Sequence, residues 1–192
     1  MNNYDNIISI LKETQKPSRF THTMGVAYTA CSLAMCYGED IEKAFLSGLL
    51  HDCSKTTDAD YLAMAAEYDV EIPEYAFKSP GTLHAPLSAE IAKDKFKIED
   101  EAVLMAITSH NFGRPGMSML EKILYIADYI EPSRNFDLEK LTFYRNLAFK
   151  DLDKCLVLIL KDTIDFVEKN GYPLVPITLD TYSYYKNGEI ND

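Results

Sequence analysis

The sequence predicts an all-α fold, a single domain with a helical bundle of about eight or nine helices. Apolar residues recur at helical spacing through most of the chain, and the alternation typical of strands is nearly absent. The chain has 192 residues, 47% of them hydrophobic and 26% charged, which is long enough and apolar enough to bury its own core. These observations favour a soluble helical domain over a sheet-containing or disordered chain.

The helices of the first half are predicted from apolar stripes and one capping residue. The first stripe is Tyr4, Ile7, Ile8 and Leu11. Asp40 is placed to cap a helix that begins at Ile41, because an Asp side chain accepts from the free amides of a first turn. The buried stripe of that helix is predicted at Ile41, Phe45 and Gly48. Prolines and glycines predict loops over 68–81 and 113–116.

The helices of the second half have clearer start and stop signals. Ser118 and Glu121 have the spacing of a capping box, and Pro132 stops the helix that they begin. Another stripe runs through Leu152, Cys155, Leu156, Ile159, Thr163 and Phe166. Asn170 and Gly171 end that helix. Helices are expected over 137–170 and an extended or partly disordered tail over 171–192.

The charge balance narrows the classes of partner. Thirty acidic and nineteen basic residues give a formal charge of -11, which repels nucleic acid and gives no basic stripe for an anionic membrane. Nucleic acid and membrane are therefore not expected as partners. A small anionic substrate requires clustered basic side chains or bound cations. Apolar helix stripes are also compatible with a homodimer.

Cysteine usage and the N-terminal sequence predict a cytoplasmic location. The four cysteines are Cys31, Cys36, Cys53 and Cys155. They form no C-x-x-C pair, and the chain begins Met-Asn-Asn-Tyr-Asp without a basic and apolar leader. The longest apolar runs fall far short of the roughly 20 residues of a membrane helix. Cys53 is interpreted as a small buried hydrophobic residue rather than a metal ligand.

The chemistry-bearing residues are histidines near predicted helix ends and two inward-facing aspartates. The histidines are His22, His51, His84 and His110. Asp52 continues the buried side of the helix from Ile41, and Asp128 follows Leu120 and Leu124 at intervals of four. Buried carboxylates require compensation, which a divalent cation flanked by imidazoles would supply. Capped or salt-bridged aspartates are the alternative.

The order His, His-Asp, Asp resembles the HD-domain metal-dependent phosphohydrolases. The matching strings are GLLHDCSK over 48–55, GTLHAP over 81–86, GRPGMS over 113–118 and ADYIEP over 127–132. They are similar to a subgroup described as symmetrical bis(5′-nucleosyl)-tetraphosphatases. The resemblance covers roughly residues 17–136, which it implies are the metal-binding core of a single domain over 1–192.

The resemblance implies a dinuclear metal centre. His22, His51, Asp52 and Asp128 would hold one ion, and His84 and His110 a second, with Asp52 bridging the pair. The resemblance favours iron in a divalent or mixed-valence state, with manganese or zinc as alternatives that suit the same ligands. A metal-bound hydroxide would attack a phosphoryl group and cleave diadenosine tetraphosphate into two ADP.

Four basic residues are candidates for contact with the substrate. Lys55 follows Asp52 by three positions and is predicted to assist it in catalysis and to bind a phosphate oxygen. Arg114 and Arg134 flank the Asp128 helix, and Arg19 lies one helical turn before His22. The alternative for each is a solvated or ion-paired surface residue. Phe112 and the tyrosines near Tyr129 are candidates for stacking on adenine, with core packing as the alternative.

Two other functions are compatible with the same metal centre. One is an HD-type nucleotidase or nucleoside-triphosphate hydrolase, because the centre does not define the substrate. The other is a metal-dependent nucleotide sensor that binds without turnover. Product analysis separates the first from the dinucleoside tetraphosphatase, and binding without turnover would favour the second.

Overall fold

Helices form most of the structure, a computed structural model that describes residues 4–57 and 59–188. In chain order the α-helices are α1 (Tyr4–Thr14), α2 (Pro17–Tyr37), α3 (Ile41–Leu50), α4 (Tyr61–Glu67), α5 (Glu74–Lys78), α6 (His84–Phe96), α7 (Glu101–Ser109), α8 (Met119–Ile130), α9 (Leu138–Ala148), α10 (Leu152–Lys169) and α11 (Pro176–Gly188). A short 3-10 helix, Pro80–Leu83, precedes α6. Within the described ranges there is no strand, so the prediction of an all-α single domain is confirmed.

The described residues form eleven α-helices, more than the eight or nine that the sequence predicts. One added helix, α5, lies inside the predicted loop over 68–81. Pro73 is the N-cap residue of α5, and Pro80 opens the 3-10 helix. Both prolines therefore begin a helix, because proline is tolerated where the backbone amide needs no partner within the helix.

The tail also differs from the prediction, because Pro176–Gly188 forms α11 rather than an extended segment. Its buried residues are Thr178 and Thr181, and the Tyr185 hydroxyl accepts a hydrogen bond of 2.6 Å from the Met117 amide. Small hydroxyl residues take the inward positions where aliphatic ones would be expected, so the helical period is hard to recognise. Residues 189–192 of the predicted tail lie outside the described residues.

The core is centred on α2, α3 and α8; His22 lies in α2, Asp128 lies in α8, and His51 and Asp52 directly follow α3. Leu33, Leu49, Leu50, Ile123, Leu124 and Ile126 are among its fully buried side chains. The predicted α3 stripe is wrong at Ile41, which is 45% exposed, whereas Ala44, Ser47 and Gly48 are buried. The small residues face inward because α3 packs closely on α2. Among the described helices, none is both long and apolar enough to cross a membrane.

The predicted caps fix the ends of α3 and α8. The Asp40 side chain accepts from the Lys43 amide, and Ser118 and Glu121 form a reciprocal capping box. Glu131 is the C-cap residue of α8, one residue before Pro132. As a result α3 ends just before His51, and Asp128 lies in the last turn of α8.

The Gly48→Ala variant should be less stable by about 1–3 kcal/mol, the usual cost of overpacking a core. An added Cβ at Gly48 would lie 2.5 Å from the Ala27 Cα and 2.9 Å from its amide nitrogen, so α2 and α3 would have to separate. Urea unfolding measures the change. Gly81→Ala is the matched control, because a Cβ there meets nothing within 4 Å. Equal stability of the two variants would contradict this account.

Candidate metal centre

The structure brings all six predicted ligand residues together around Asp52. His51 is the C-cap residue of α3 and His110 that of α7, while His84 is the first residue of α6. His22 lies in α2 and Asp128 in α8. The imidazoles are buried, and the Asp52 side chain is 1% exposed. Helix ends and turns thus direct groups distant in sequence into one site.

The two carboxylate oxygens of Asp52 face two different groups of side chains. Oδ2 lies 3.4 Å from His51 Nε2 and 3.8 Å from His22 Nε2. Oδ1 lies 3.6 Å from His84 Nε2 and 3.7 Å from His110 Nε2. Asp128 Oδ1 completes the first group at 3.0 Å from His22 Nε2. Asp52 is therefore placed between two clusters of potential ligands.

The outer nitrogen of each imidazole has its own hydrogen-bond acceptor. Nδ1 of His51 lies 2.7 Å from the Gly48 carbonyl oxygen. Nδ1 of His84 and of His110 each lie 2.6 Å from a carbonyl oxygen, at Gly81 and Ile107. A carbonyl oxygen only accepts, so these three Nδ1 atoms carry a proton, which leaves Nε2, the atom directed towards Asp52, as the nitrogen that can bind a metal. That is the tautomer of a metal-binding histidine.

The donor set fits a divalent cation. His84 Nε2 and His110 Nε2 approach to 3.1 Å, and His22 Nε2 and His51 Nε2 to 3.3 Å. Two facing lone pairs at such distances repel each other unless a cation or a proton lies between them. Asp52 Oδ1 is buried; the Lys55 ammonium lies 2.9 Å from it, but no donor among the described residues has hydrogen-bond geometry to it. Within residues 4–57 and 59–188, two groups have the ligand spacing of a metal site: His22, His51 and Asp128; and His51, Asp52 and His110.

Three basic side chains surround these carboxylates. Arg19 Nη1 lies 2.6 Å from Asp52 Oδ2, and Lys55 Nζ lies 2.9 Å from Asp52 Oδ1. Arg134 Nη2 donates to Asp128 Oδ1 at 2.6 Å. Burial favours the neutral acid, yet the imidazoles of His51 and His110 and the Lys55 charge hold the pKa of Asp52 well below its ordinary value. The site is locally rich in positive charge within an acidic protein.

Arg114, the fourth predicted substrate contact, pairs with a glutamate instead of the central aspartates. Its Nε and Nη2 donate to the two carboxylate oxygens of Glu121 at 2.6 and 2.7 Å. Glu121 is buried and also accepts from Ser109 and Ser118. Such a bidentate pair accounts for the position of Arg114 by itself, without a phosphate.

The Arg114→Ala variant tests which role dominates. We expect a stability loss of about 1–3 kcal/mol, because the buried Glu121 loses two charged donors, together with an unchanged KM. Thermal unfolding and steady-state kinetics measure the two quantities. A raised KM at unchanged stability would instead favour the phosphate-binding role predicted from the sequence.

The predicted stacking residues lie in aromatic pairs. Phe112 packs edge-on against Tyr75, with ring centroids 6.1 Å apart, beside a cavity of about 380 Å³ that none of the six ligand residues lines. Tyr129 packs between Phe136 and Tyr144.

Cys53 is buried, and burial raises the pKa of its thiol to about 12. The thiol donates a hydrogen bond to the Ser88 carbonyl oxygen. Cys53 is thus a packed core residue in this structure.

Sequence reasoning missed Glu131, whose Oε1 lies 3.0 Å from His22 Nδ1. It also missed Gln15, whose side-chain amide donates to the Asp52 carbonyl oxygen at 3.1 Å. Glu131 belongs to the ADYIEP string and precedes Pro132 at a helix end, where it has the signature of a capping residue only. The available signal was its spacing, three residues after Asp128, which places both acids on one side of α8.

A cavity of about 290 Å³ opens beside the first group of ligands. Its lining combines basic, polar and aromatic side chains: Ser18, Arg19, His22, Glu131, Ser133, Arg134, Asn135 and Phe136. Phe136 is 45% exposed, so part of its ring faces solvent. The cavity therefore offers two guanidinium groups and an aromatic surface next to His22.

Comparison with known proteins agrees with this geometry. The HD domain family matches residues 19–133. A symmetrical bis(5′-nucleosyl)-tetraphosphatase of Halalkalibacterium halodurans is 39% identical, covering 92% of this chain and 93% of the relative. The Bacillus subtilis protein of the same name is 33% identical, and the match covers 97% of this chain and 99% of that relative.

A solved structure is similar over nearly the whole chain. It is a crystal structure from Clostridium acetobutylicum, described as a predicted HD superfamily hydrolase involved in NAD metabolism. It is 38% identical, covers 98% of this chain and 99% of its own, and superposes with a TM-score of 0.91. Together with the matched family and the cluster of four histidines and two aspartates, this establishes that the chain belongs to the HD-domain family of hydrolases.

Proposed function

We propose that this protein is a metal-dependent hydrolase that cleaves diadenosine tetraphosphate symmetrically into two ADP. The observation that carries the proposal is the Asp52 carboxylate, whose two oxygens face separate histidine groups beside a cavity with two arginines. The two relatives named as symmetrical bis(5′-nucleosyl)-tetraphosphatases support the choice of substrate.

The ligand residues divide into two sets that share Asp52. His22, His51 and Asp128 would hold one divalent cation, and His84 and His110 a second. When bound, such cations activate water and neutralise charge on phosphoryl oxygens. Imidazole and carboxylate ligands suit iron, which the family resemblance favours, and also manganese and zinc. Asp52 is the residue on which both sets depend.

Arg19, Lys55 and Arg134 are the proposed phosphate contacts. Each pairs with Asp52 or Asp128 in this structure, so neutralisation of those carboxylates by cations would release the basic groups towards a polyphosphate. Guanidinium groups bind phosphate oxygens in a bidentate manner, which orients the chain of phosphates. Their charge also offsets the repulsion between an anionic substrate and a protein of net charge -11.

The register of the substrate decides which products form. Symmetric cleavage requires that the second or third phosphate lies at the Asp52 cluster, with ADP as the leaving group. The 290 Å³ cavity would then receive part of one nucleotide half, with Phe136 offering a surface on which a base can stack. Stacking of this kind does not distinguish among bases.

The test is anaerobic incubation of chelator-stripped protein with diadenosine tetraphosphate and Fe²⁺, Mn²⁺ or Zn²⁺, separately. Ion-exchange chromatography resolves the products. We expect ADP as the only nucleotide product and none without metal. AMP together with ATP would refute the register. Hydrolysis of mononucleotides alone would make the protein a nucleotidase, and tight binding without turnover would make it a sensor.

A further inference from the structure

His22 differs from the other three histidines in the group that its outer nitrogen contacts. Nδ1 of His51, His84 and His110 lies against a backbone carbonyl oxygen. Nδ1 of His22 instead lies 3.0 Å from the Glu131 carboxylate. His22 is inside α2, where the carbonyls of the helix are used in its own hydrogen bonds, so the ring needs an acceptor from another element.

Glu131 is held rigidly in this position. Its side chain is 1% exposed, and Oε2 accepts from the Ser133 amide at 2.6 Å. Oε1 accepts from the Ser133 hydroxyl, also at 2.6 Å, and the Arg145 guanidinium donates to the Glu131 carbonyl oxygen at 2.8 Å. The backbone and the side chain of Glu131 are therefore both fixed. Glu131 contacts His22 at Nδ1, not at the Nε2 atom that lies 3.0 Å from Asp128.

Gly25, one helical turn after His22, provides the space that Glu131 occupies. A Cβ at Gly25 would lie against Glu131 Oε2, well inside van der Waals contact. Glycine lies here in the interior of a 21-residue helix, where it is disfavoured relative to alanine. The close approach of the carboxylate accounts for this glycine.

We propose that Glu131 is a positioning residue that fixes the tautomer of His22 and thereby makes it a metal ligand. The inference rests on the metal centre of the proposed function. An ionised carboxylate only accepts hydrogen bonds, so Nδ1 carries a proton, and Nε2, which lies 3.0 Å from Asp128 Oδ1, is the nitrogen that can give up its proton to bind a metal. The negative charge also increases the donor strength of the ring, as carboxylate partners do for other histidine ligands.

Glutamine at this position would reverse the hydrogen bonding. The Ser133 amide can only donate, so the glutamine oxygen has to stay at the Oε2 position. The NH₂ group then faces His22 Nδ1 and the Ser133 hydroxyl, which can rotate to accept. His22 would then have to accept a hydrogen bond at Nδ1 and carry its proton on Nε2. A protonated Nε2 has no lone pair with which to bind a metal.

The first measurement is Mn²⁺ binding to chelator-stripped protein by titration calorimetry. Glu131→Gln and Gly25→Ala should each weaken binding of Mn²⁺ by roughly 10- to 100-fold, the usual effect of losing such a partner. Glu121→Gln is the matched control, because Glu121 is a buried glutamate at the other end of α8, held by Ser118 and Arg114. It should bind Mn²⁺ as the unmodified protein does.

The second measurement reads the tautomer without metal. Long-range ¹H–¹⁵N spectra of histidine-labelled protein should show a proton on His22 Nδ1 in the unmodified chain, and a proton on Nε2 alone in Glu131→Gln. An unchanged tautomer, or unchanged Mn²⁺ affinity in Glu131→Gln, would overturn the proposal. If the unmodified protein binds no metal, the proposed function fails, while the spectra still decide what Glu131 does.

Discussion

Replacement of Asp52 by asparagine is expected to reduce hydrolysis of diadenosine tetraphosphate by at least about a thousandfold, which corresponds to about 4 kcal/mol. One oxygen of Asp52 faces His22 and His51, and the other faces His84 and His110. An amide has no charge and offers only one good acceptor, so neither half of the site keeps its ligand set. Initial rates and metal content by elemental analysis measure the effect.

The control for this variant applies the same chemical change far from the cluster. Asp100 caps α7 through the amides of Ala102 and Val103, and asparagine caps helices about equally well. Asp100→Asn should therefore keep full activity and metal content. If Asp52→Asn retained two ions and more than about a tenth of the rate, the bridging position of Asp52 would not matter to the reaction.

The ligand set could be proposed from the sequence because each residue lies in a recognisable local pattern, although most of the residues are far apart in the sequence. His51 and Asp52 are adjacent, Asp128 follows an apolar stripe on α8, and His84 and His110 stand at helix ends. Each type of residue has a strong chemical preference, and the metal-binding strings are distinctive. The sequence therefore predicted which residues would form the site, while their spacing of 3.0–3.9 Å required the fold.

Other features depend on tertiary contacts that no local pattern encodes. Glu131 looks like an ordinary residue at a helix end until α2 brings His22 to it, and Arg114 looks free until Glu121 is buried beside it. The side of α3 that faces inward is set by the approach of Ala27 to Gly48 rather than by its largest apolar residues. In α11, Thr181 packs against Gly113, a contact that hydrophobic periodicity does not predict.

The arrangement of charge explains how an acidic protein can handle a polyphosphate. Arg19, Lys55 and Arg134 all lie within 2.9 Å of Asp52 or Asp128. The acids hold these basic side chains in place at the mouth of the site, and cations bound to the same acids would make the local charge more positive. The net charge of the whole chain therefore gives little guidance to the field at the site.

Acidification is expected to destabilise the metal-free protein between pH 6.5 and pH 3. Burial, aided by the Lys55 charge, lowers the pKa of His84 from 6.5 to about 3, and burial also lowers the pKa of His51. Below pH 6.5 the unfolded chain binds a proton at His84 that the folded protein does not, so the unfolded state gains stability as the pH falls. His84 alone should cost about 2 kcal/mol at pH 5 and about 5 kcal/mol once the pH is below 3.

Other groups at the site modify this profile in a defined direction. Burial opposes protonation of His22, but hydrogen bonds to Asp128 and Glu131 outweigh it and raise its pKa, so His22 stabilises the fold below pH 6.5 and loses that effect as the pH rises. Asp52 and Asp128 have lowered pKa values, so their contribution is present above about pH 4 and lost as the pH falls further. Stability should therefore be greatest near neutral pH.

Urea unfolding of chelator-treated protein at pH 8, 6.5, 5 and 4 measures this dependence. His84→Gln is the informative variant, because glutamine can still donate to the Gly81 carbonyl oxygen but does not titrate. Its loss of stability between pH 6.5 and pH 5 should be smaller than that of the unmodified protein by about 2 kcal/mol. Parallel profiles for the two proteins would show that His84 is protonated in the folded state at pH 5, and its unprotonated Nε2 would then not be a built-in feature of the fold.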